Sequence, residues 1–190
     1  GHKGAILEGE SRPGHFDGVL TIVNRLLDLI KPKYMVLGKK DAQQLFLIKQ
    51  KFEEKYPRTE FISSPTIREG SGLALSSRNN LLSNSAIETS AELFKCLKIF
   101  YTSFSSGDSV EESRAKAKYY IDQYPKIELD YLEIVDAGSF DVPRKDTFRY
   151  FILVAAGVDG VRLIDNIYLE KKNNKYYVDL GINLTIEGNK

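Results

Sequence analysis

Cysteine occurs once in the 190 residues, at Cys96, and methionine once, at Met35; tryptophan is absent and histidine occurs twice. A single cysteine excludes an internal disulfide framework and any cysteine-rich metal site, and its place inside an apolar helical pattern marks it as core filling. His, Cys, Asp and Glu form no cluster at ligand spacing, so no protein-bound transition metal is expected. An excess of charge is also missing. With 27 basic and 26 acidic side chains the net charge is +1, which lacks the footprint of a protein that binds nucleic acid or an anionic membrane. No stretch approaches the roughly 20 continuous apolar residues of a membrane span, and no export signal is visible, so a cytoplasmic protein with small-molecule partners is expected. Internal repeats and long low-complexity segments are absent as well. The chain begins Gly1-His2-Lys3-Gly4, which reads as a cleavage scar, and the expectation is a C-terminal portion of a longer protein.

What is present suffices for a core, since 42% of the residues are hydrophobic and the length suits one domain or two small ones. Between His15 and Ile30 the residues Phe16, Val19, Leu20, Ile22, Val23, Leu26, Leu27, Leu29 and Ile30 recur at helical spacing until Pro32, predicting a helix buried on a broad face. Tyr34-Met35-Val36-Leu37 is a short apolar strand closed by Gly38. Asp41 then stands where it could cap a helix running to Lys55, ahead of Pro57. Glu60-Phe61-Ile62-Ser63 reads as a second strand, and helix, strand, helix, strand implies parallel pairing, with ligands gathered at the carboxyl ends of the strands.

From Arg68 to Arg78 no period is sustained, which predicts a loop and a domain boundary. Beyond it Ser83 precedes a helix to about Phe104, and Gly107-Asp108-Ser109 opens another to about Tyr124 before Pro125. Strands are expected from Leu129 to Val135, from Phe148 to Ala156 and from Leu163 to Leu169. A polar turn at Lys171 to Asn174 separates them from a further strand at Tyr176 to Leu180 and a fraying end. The fold class is therefore α/β: a partial Rossmann-like domain over residues 1–68, followed by a smaller α+β domain over 69–190.

Two stretches carry chemistry. Gly38-Lys39-Lys40-Asp41-Ala42-Gln43-Gln44 places a glycine, two cations and a carboxylate at a strand end and helix start, where the helix dipole favours anions. Gly72-Leu73-Ala74-Leu75-Ser76-Ser77-Arg78-Asn79 combines hydroxyls with a guanidinium that has five donors. On the residues alone each has a plainer reading: Lys39 and Lys40 as a solvated pair, Asp41 as a helix cap, Gln44 as a surface glutamine, Ser76 and Ser77 as a loop capping the next helix. His15, in Arg12-Pro13-Gly14-His15-Phe16, is equally a structural residue at a helix start.

Taken in order, the three motifs resemble the pantothenate synthetase (pantoate–β-alanine ligase) family over residues 7 to 166. The resemblance implies ATP-dependent condensation of pantoate with β-alanine. The pantoate carboxylate attacks the α-phosphorus of ATP, pyrophosphate leaves, and the β-alanine amine displaces AMP from the pantoyl adenylate. It assigns Lys40, Ser76, Ser77 and Arg78 to catalysis. Gly38, Lys39, Lys40, Asp41, Ile67, Leu75, Ser76, Ser77 and Arg78 would bind the nucleotide, with Ile67 at the adenine and Asp41 at the ribose. Gln44, Arg12 and His15 would meet pantoate and β-alanine, beside an apolar wall of Val19, Ile22, Val23 and Leu37. Magnesium is expected to enter with ATP, held by phosphate oxygens and water. The family's N-terminal strand, glycine turn and paired histidines have no counterpart here, so this chain alone is expected to be inactive, while the full-length enzyme is expected to be a homodimer. Ser71 departs from the aspartate usual before Gly72, and the tail after Leu169 departs from the family. The alternatives are another adenylyl- or cytidylyltransferase of the nucleotidyltransferase superfamily, or a non-catalytic binding or dimerisation module.

Overall fold

The computed structural model describes residues 1–184. The chain divides into two compact units, Gly1–Ser64 and the remainder from Pro65, so the division falls ahead of the boundary expected at Arg68.

In the first unit a 3-10 turn at His2–Gly4 and α1 (Glu8–Ser11) lead into α2 (His15–Ile30); β1 (Tyr34–Gly38), α3 (Ala42–Phe52) and β2 (Glu60–Ser64) follow. β1 and β2 pair in parallel, Tyr34 opposite Glu60 through Gly38 opposite Ser64, as the helix–strand order requires. Leu27, Ile48, Phe52 and Phe61 form the core, with Val19, Leu20, Val23, Met35 and Leu37 packed against it. The broad buried face expected of α2 is a correction. Only Phe16 and Leu27 of α2 are buried, while Ile22, Leu26, Leu29 and Ile30 are exposed, because within this unit one helix and a two-stranded sheet cover only one side of it. Of the apolar wall predicted for the pocket, Ile22 therefore stands in solvent within its unit. α3 also ends at Phe52 rather than Lys55. Just past that end the Tyr56 hydroxyl donates to Asp28 Oδ1 on α2 at 2.7 Å and approaches Asn24 Oδ1 at 3.0 Å.

The second unit is built on a four-stranded sheet ordered β4 (Ile127–Asp136), β5 (Arg149–Val158), β6 (Val161–Lys172), β7 (Lys175–Asp179), antiparallel throughout. Helices α4 (Asn84–Ser90), α5 (Glu92–Ser105) and α6 (Val110–Ile121) pack against it around Leu93, Leu97, Phe100, Ile121, Ile152 and Ile167. The cap signals are realised. Ser83 Oγ accepts from Ala86 N, and Ser109 with Glu112 closes a capping box at the start of α6. Cys96 is buried, its Sγ donating to the Ala117 carbonyl at 3.4 Å, and burial pushes its thiol up to about 12.

The two-residue strand β3 (Ile67–Arg68) is set in this unit and pairs in parallel with β8 (Ile182–Asn183). The tail expected to fray is thus strand-paired as far as Asn183. Arg68 is wholly buried. Its Nε donates to the Leu180 carbonyl at 2.6 Å; Nη1 reaches the Gly72 carbonyl at 3.0 Å and Asp165 Oδ2 at 2.6 Å; Nη2 reaches Asp165 Oδ1 at 3.0 Å and the Asn166 carbonyl at 2.9 Å. The guanidinium also lies 3.9 Å from the centroid of the Phe94 ring. Removing one partner of a buried, hydrogen-bonded pair strands the other charge, so Arg68→Met should lower stability by about 3–5 kcal/mol. Urea unfolding followed by circular dichroism measures it, and the Arg68→Met/Asp165→Leu double variant should recover part of the loss. A loss under about 1 kcal/mol would show that the pair is not the anchor it looks to be.

For Cys96 the raised thiol pKa predicts no reaction with Ellman's reagent in the native protein at about pH 8 and prompt reaction once the chain is unfolded in urea. Labelling at the unfolded-state rate without denaturant would contradict the burial.

Candidate active site

In the first unit, β1 ends at Gly38 and a 3-10 turn, Lys39–Asp41, feeds α3. Gly38 is extended (φ −74°, ψ 133°), and a Cβ there would meet no atom within 4 Å. Nothing in the unit's own packing demands glycine, and the space above it stays open to a ligand. Asp41 precedes α3 but makes no capping bond to it; its carboxylate lies 3.8 Å from Lys40 Nζ. The plain reading of Asp41 as a side-chain cap is therefore not what the structure shows. The two glutamines separate sharply. Gln43 is buried, donating to the carbonyls of Lys3 (2.8 Å) and Ile6 (2.9 Å) and accepting from Glu8 N (3.1 Å). Gln44 is only partly buried. One glutamine holds the N-terminal segment to α3, and the other is partly exposed.

At the start of α2, Gly14 is left-handed (φ 77°) and serves as N-cap, which leaves His15 as the first helical residue rather than the cap. Arg12 Nη1 lies 3.0 Å from His15 Nε2. A guanidinium can only donate, so Nε2 accepts and the ring proton sits on Nδ1. The pair thereby presents a cation and a histidine of fixed tautomer together.

In the second unit, Leu75 N donates to the Ile67 carbonyl at 2.9 Å, Glu69 N to the Leu73 carbonyl at 2.9 Å, and Arg68 bridges Ala74 antiparallel. The segment from Arg68 to Arg78, unstructured by sequence pattern, is a short hairpin stitched to β3. Ser71 Oγ accepts from Leu73 N at 3.3 Å, so a hydroxyl performs the local turn bond that an aspartate could make. A 3-10 turn, Ser77–Leu81, follows; Ser76 Oγ caps it, accepting from Arg78 N at 3.2 Å. The loop-capping reading of Ser76 is realised, yet that bond uses the oxygen as acceptor and leaves its O–H to donate. Arg78 Nη1 donates to the Arg162 carbonyl on β6 at 3.0 Å, fixing the side chain while engaging one of its five donors. Ile67, Leu75, Ser76, Ser77 and Arg78 thus form one assembly, and Gly38, Lys39, Lys40, Asp41 and Gln44 another, each within its own unit. Among the described residues no three His, Cys, Asp or Glu side chains are grouped to hold a metal ion, and no helix is long and apolar enough to cross a membrane.

Residues 2–168 match the family model for pantoate-beta-alanine ligase. The chain belongs to the pantoate–beta-alanine ligase family. It is 39% identical over 167 residues to the pantothenate synthetase of Cytophaga hutchinsonii, a match covering 86% of this chain and 59% of that protein. The crystal structure of pantothenate synthetase from Thermus thermophilus superposes with a TM-score of 0.83 at 34% identity, covering 87% of this chain and 60% of that one. Pantoate-beta-alanine ligase from Francisella tularensis, complexed with beta-gamma ATP and beta-alanine, superposes with a TM-score of 0.62 at 36% identity, covering 87% and 54%. The chain therefore spans 54–60% of the length of these three ligases. All three ligase motifs lie inside the match, whereas β7 and β8 lie beyond it.

Sequence reasoning placed Arg68 at a loop border and missed its buried network. The available signal was Asp165, a carboxylate inside the apolar run Leu163 to Leu169, which calls for a buried cation. It also gave Gln43 no task. Gln43→Ala should cost about 1–3 kcal/mol, because buried backbone groups lose their partner, while Gln44→Ala should stay within about 0.5 kcal/mol of the parent. Thermal unfolding of the two variants decides the assignment, and the reverse order would exchange the roles.

Proposed function

We propose that this chain carries the phosphate- and nucleotide-binding part of an enzyme that condenses pantoate with β-alanine at the expense of ATP, through a pantoyl adenylate, releasing AMP and pyrophosphate. One observation carries the reading: the family match holds across both assemblies, Gly38 to Gln44 and Ile67 to Arg78, in a fold that leaves their polar groups at loop and helix starts. The named ligands of the Francisella relative, ATP and beta-alanine, are two of the three substrates required.

In this reading Lys40 meets phosphate oxygens at the start of α3, where the helix dipole adds to its charge. Asp41, which does not cap α3, accepts hydrogen bonds from ribose hydroxyls. Ser76, Ser77 and Arg78 take the charge that accumulates on the departing pyrophosphate, supplying pre-placed donors rather than covalent help. The Ile67 backbone meets adenine. Gln44 hydrogen-bonds pantoate, and the Arg12–His15 pair faces a substrate carboxylate. Magnesium enters with ATP, coordinated by phosphate and water. The whole enzyme works in the cytoplasm as a homodimer on small molecules.

Because the ligases it matches are longer, the 190-residue chain alone should produce no AMP above background with pantoate, β-alanine, ATP and magnesium; turnover by the isolated chain would refute the division of the site. In a full-length ligase carrying this segment, Lys40→Ala and Arg78→Ala should each reduce kcat by about 10²–10³-fold with little change in stability. Losses below about fivefold in both would remove these residues from the reaction.

A further inference from the structure

The family match ends at residue 168, yet the chain continues as two further strands, β7 and β8, with separate tasks. β7 belongs to the core. It extends the sheet beside β6, and Tyr176 packs its ring against Phe104 and Tyr150, while Val178 and Leu180 lie against the same cluster. β8 buries little: Ile182 is 50% exposed and Leu184 45%. Its pairing is a backbone matter. Ile182 N donates to the Thr66 carbonyl and Leu184 N to the Arg68 carbonyl, both at 2.8 Å, so three consecutive residues, Thr66 to Arg68, are gripped from the tail. The turn between β7 and β8 is built for close approach. Gly181 has φ 86°, and any Cβ there would be driven into the Thr66 carbonyl oxygen. One residue earlier, the Leu180 carbonyl takes the Nε–H of Arg68.

We infer that the extension beyond the family match is a clasp whose β8 strand positions the Ile67–Arg78 nucleotide loop. The path is continuous: β8 holds Thr66 to Arg68, the Ile67 carbonyl receives Leu75 N, and Leu75 leads directly into Ser76, Ser77 and Arg78. The nucleotide in this statement rests on the function proposed above, but the clasp itself does not. A strand held by backbone hydrogen bonds, with its apolar side chains about half exposed, does less for global stability than for the register of what it pairs with. Ligand loops are drawn from the least stable parts of a fold, so ordering one in advance lowers the cost of binding.

The test is amide hydrogen exchange in the intact 190-residue chain, in a variant lacking residues 181–190, and in Gly181→Val, which keeps the length but cannot make the turn. Both variants should raise exchange at the Leu75 and Glu69 amides by about tenfold or more, while amides in β5 stay within about twofold of the parent. Unchanged protection at Leu75 and Glu69 would overturn the clasp, and so would an equal loss across the whole second unit, since the tail would then be ordinary core. A second arm adds Mg·ATP to the intact chain and follows the Ser76 to Arg78 amides. Slowed exchange there, lost in both variants, supports the positioning role. No slowing in the intact chain removes the nucleotide from the proposal, and the first arm alone then judges the clasp.

Discussion

A guanidinium taken wholly out of water governs the second unit. Arg68 has five N–H donors, and five acceptors meet them: the Leu180, Gly72 and Asn166 carbonyls and both oxygens of Asp165. Complete satisfaction is the condition for such burial, because the desolvation of each ion costs several kcal/mol and is recovered only with good geometry and no idle donor. Asp165 is held in turn, its Oδ1 accepting from Asn166 N at 2.7 Å. The acceptors come from the hairpin after β3, from β6 and from the tail, so one side chain joins three stretches distant in sequence. Directional bonds fix register in a way that apolar packing does not, and the candidate nucleotide loop lies beside this joint.

Legibility in the sequence followed the range of the interactions. The start of α4, helix α6 and strands β4 to β7 were readable because their signals are local: Ser83 and Ser109 as caps, Pro125 as a stop, β-branched and aromatic runs as strands. The single helix expected from Ser83 to Phe104 is instead two, α4 and α5, parted at Ala91. The parallel pairing of β1 and β2 followed from the order of elements alone. The segment from Arg68 to Arg78 read as a loop because a hairpin of such short arms has no period to detect, and β8 was invisible because two residues with no buried side chain leave no pattern. Arg68 shows the limit most clearly. A charged residue beside a glycine-rich stretch is usually solvated, and only its distant partner Asp165, set among apolar neighbours, hinted otherwise.

At the candidate site the sequence nominated residues, and the structure adds how some of them are restrained. Ser76 and Arg78 are held by bonds that leave donors over, through a cap to the next backbone amide and a single link to the Arg162 carbonyl. Arg162 is itself anchored by Asp130 at 2.6 Å. Gln43 and Gln44 are alike in sequence and differ in burial, one buried and hydrogen-bonded and the other partly exposed, as the roughly 100° between adjacent positions on a helix allows. A motif containing two equal residues can therefore be read only when the face of the helix is known.

The first unit is held by other means. Its core rests on Leu27, Ile48, Phe52 and Phe61, while Ile22, Leu26, Leu29 and Ile30 on α2, with Tyr34 and Val36 on β1, remain exposed within it. Two parallel strands and their helices leave the sheet with one open face, and a sheet of that size has little independent stability. The polar network of Gln43 compensates locally by tying the N-terminal segment to α3 with three bonds. Tyr56 does the same between the end of α3 and α2. In this unit side-chain hydrogen bonds of long sequence separation supplement a small core, fixing α3 against the N-terminal segment at one end and against α2 at the other. The helix that follows Lys40 and Asp41 is thus held by directional polar ties as well as by apolar burial.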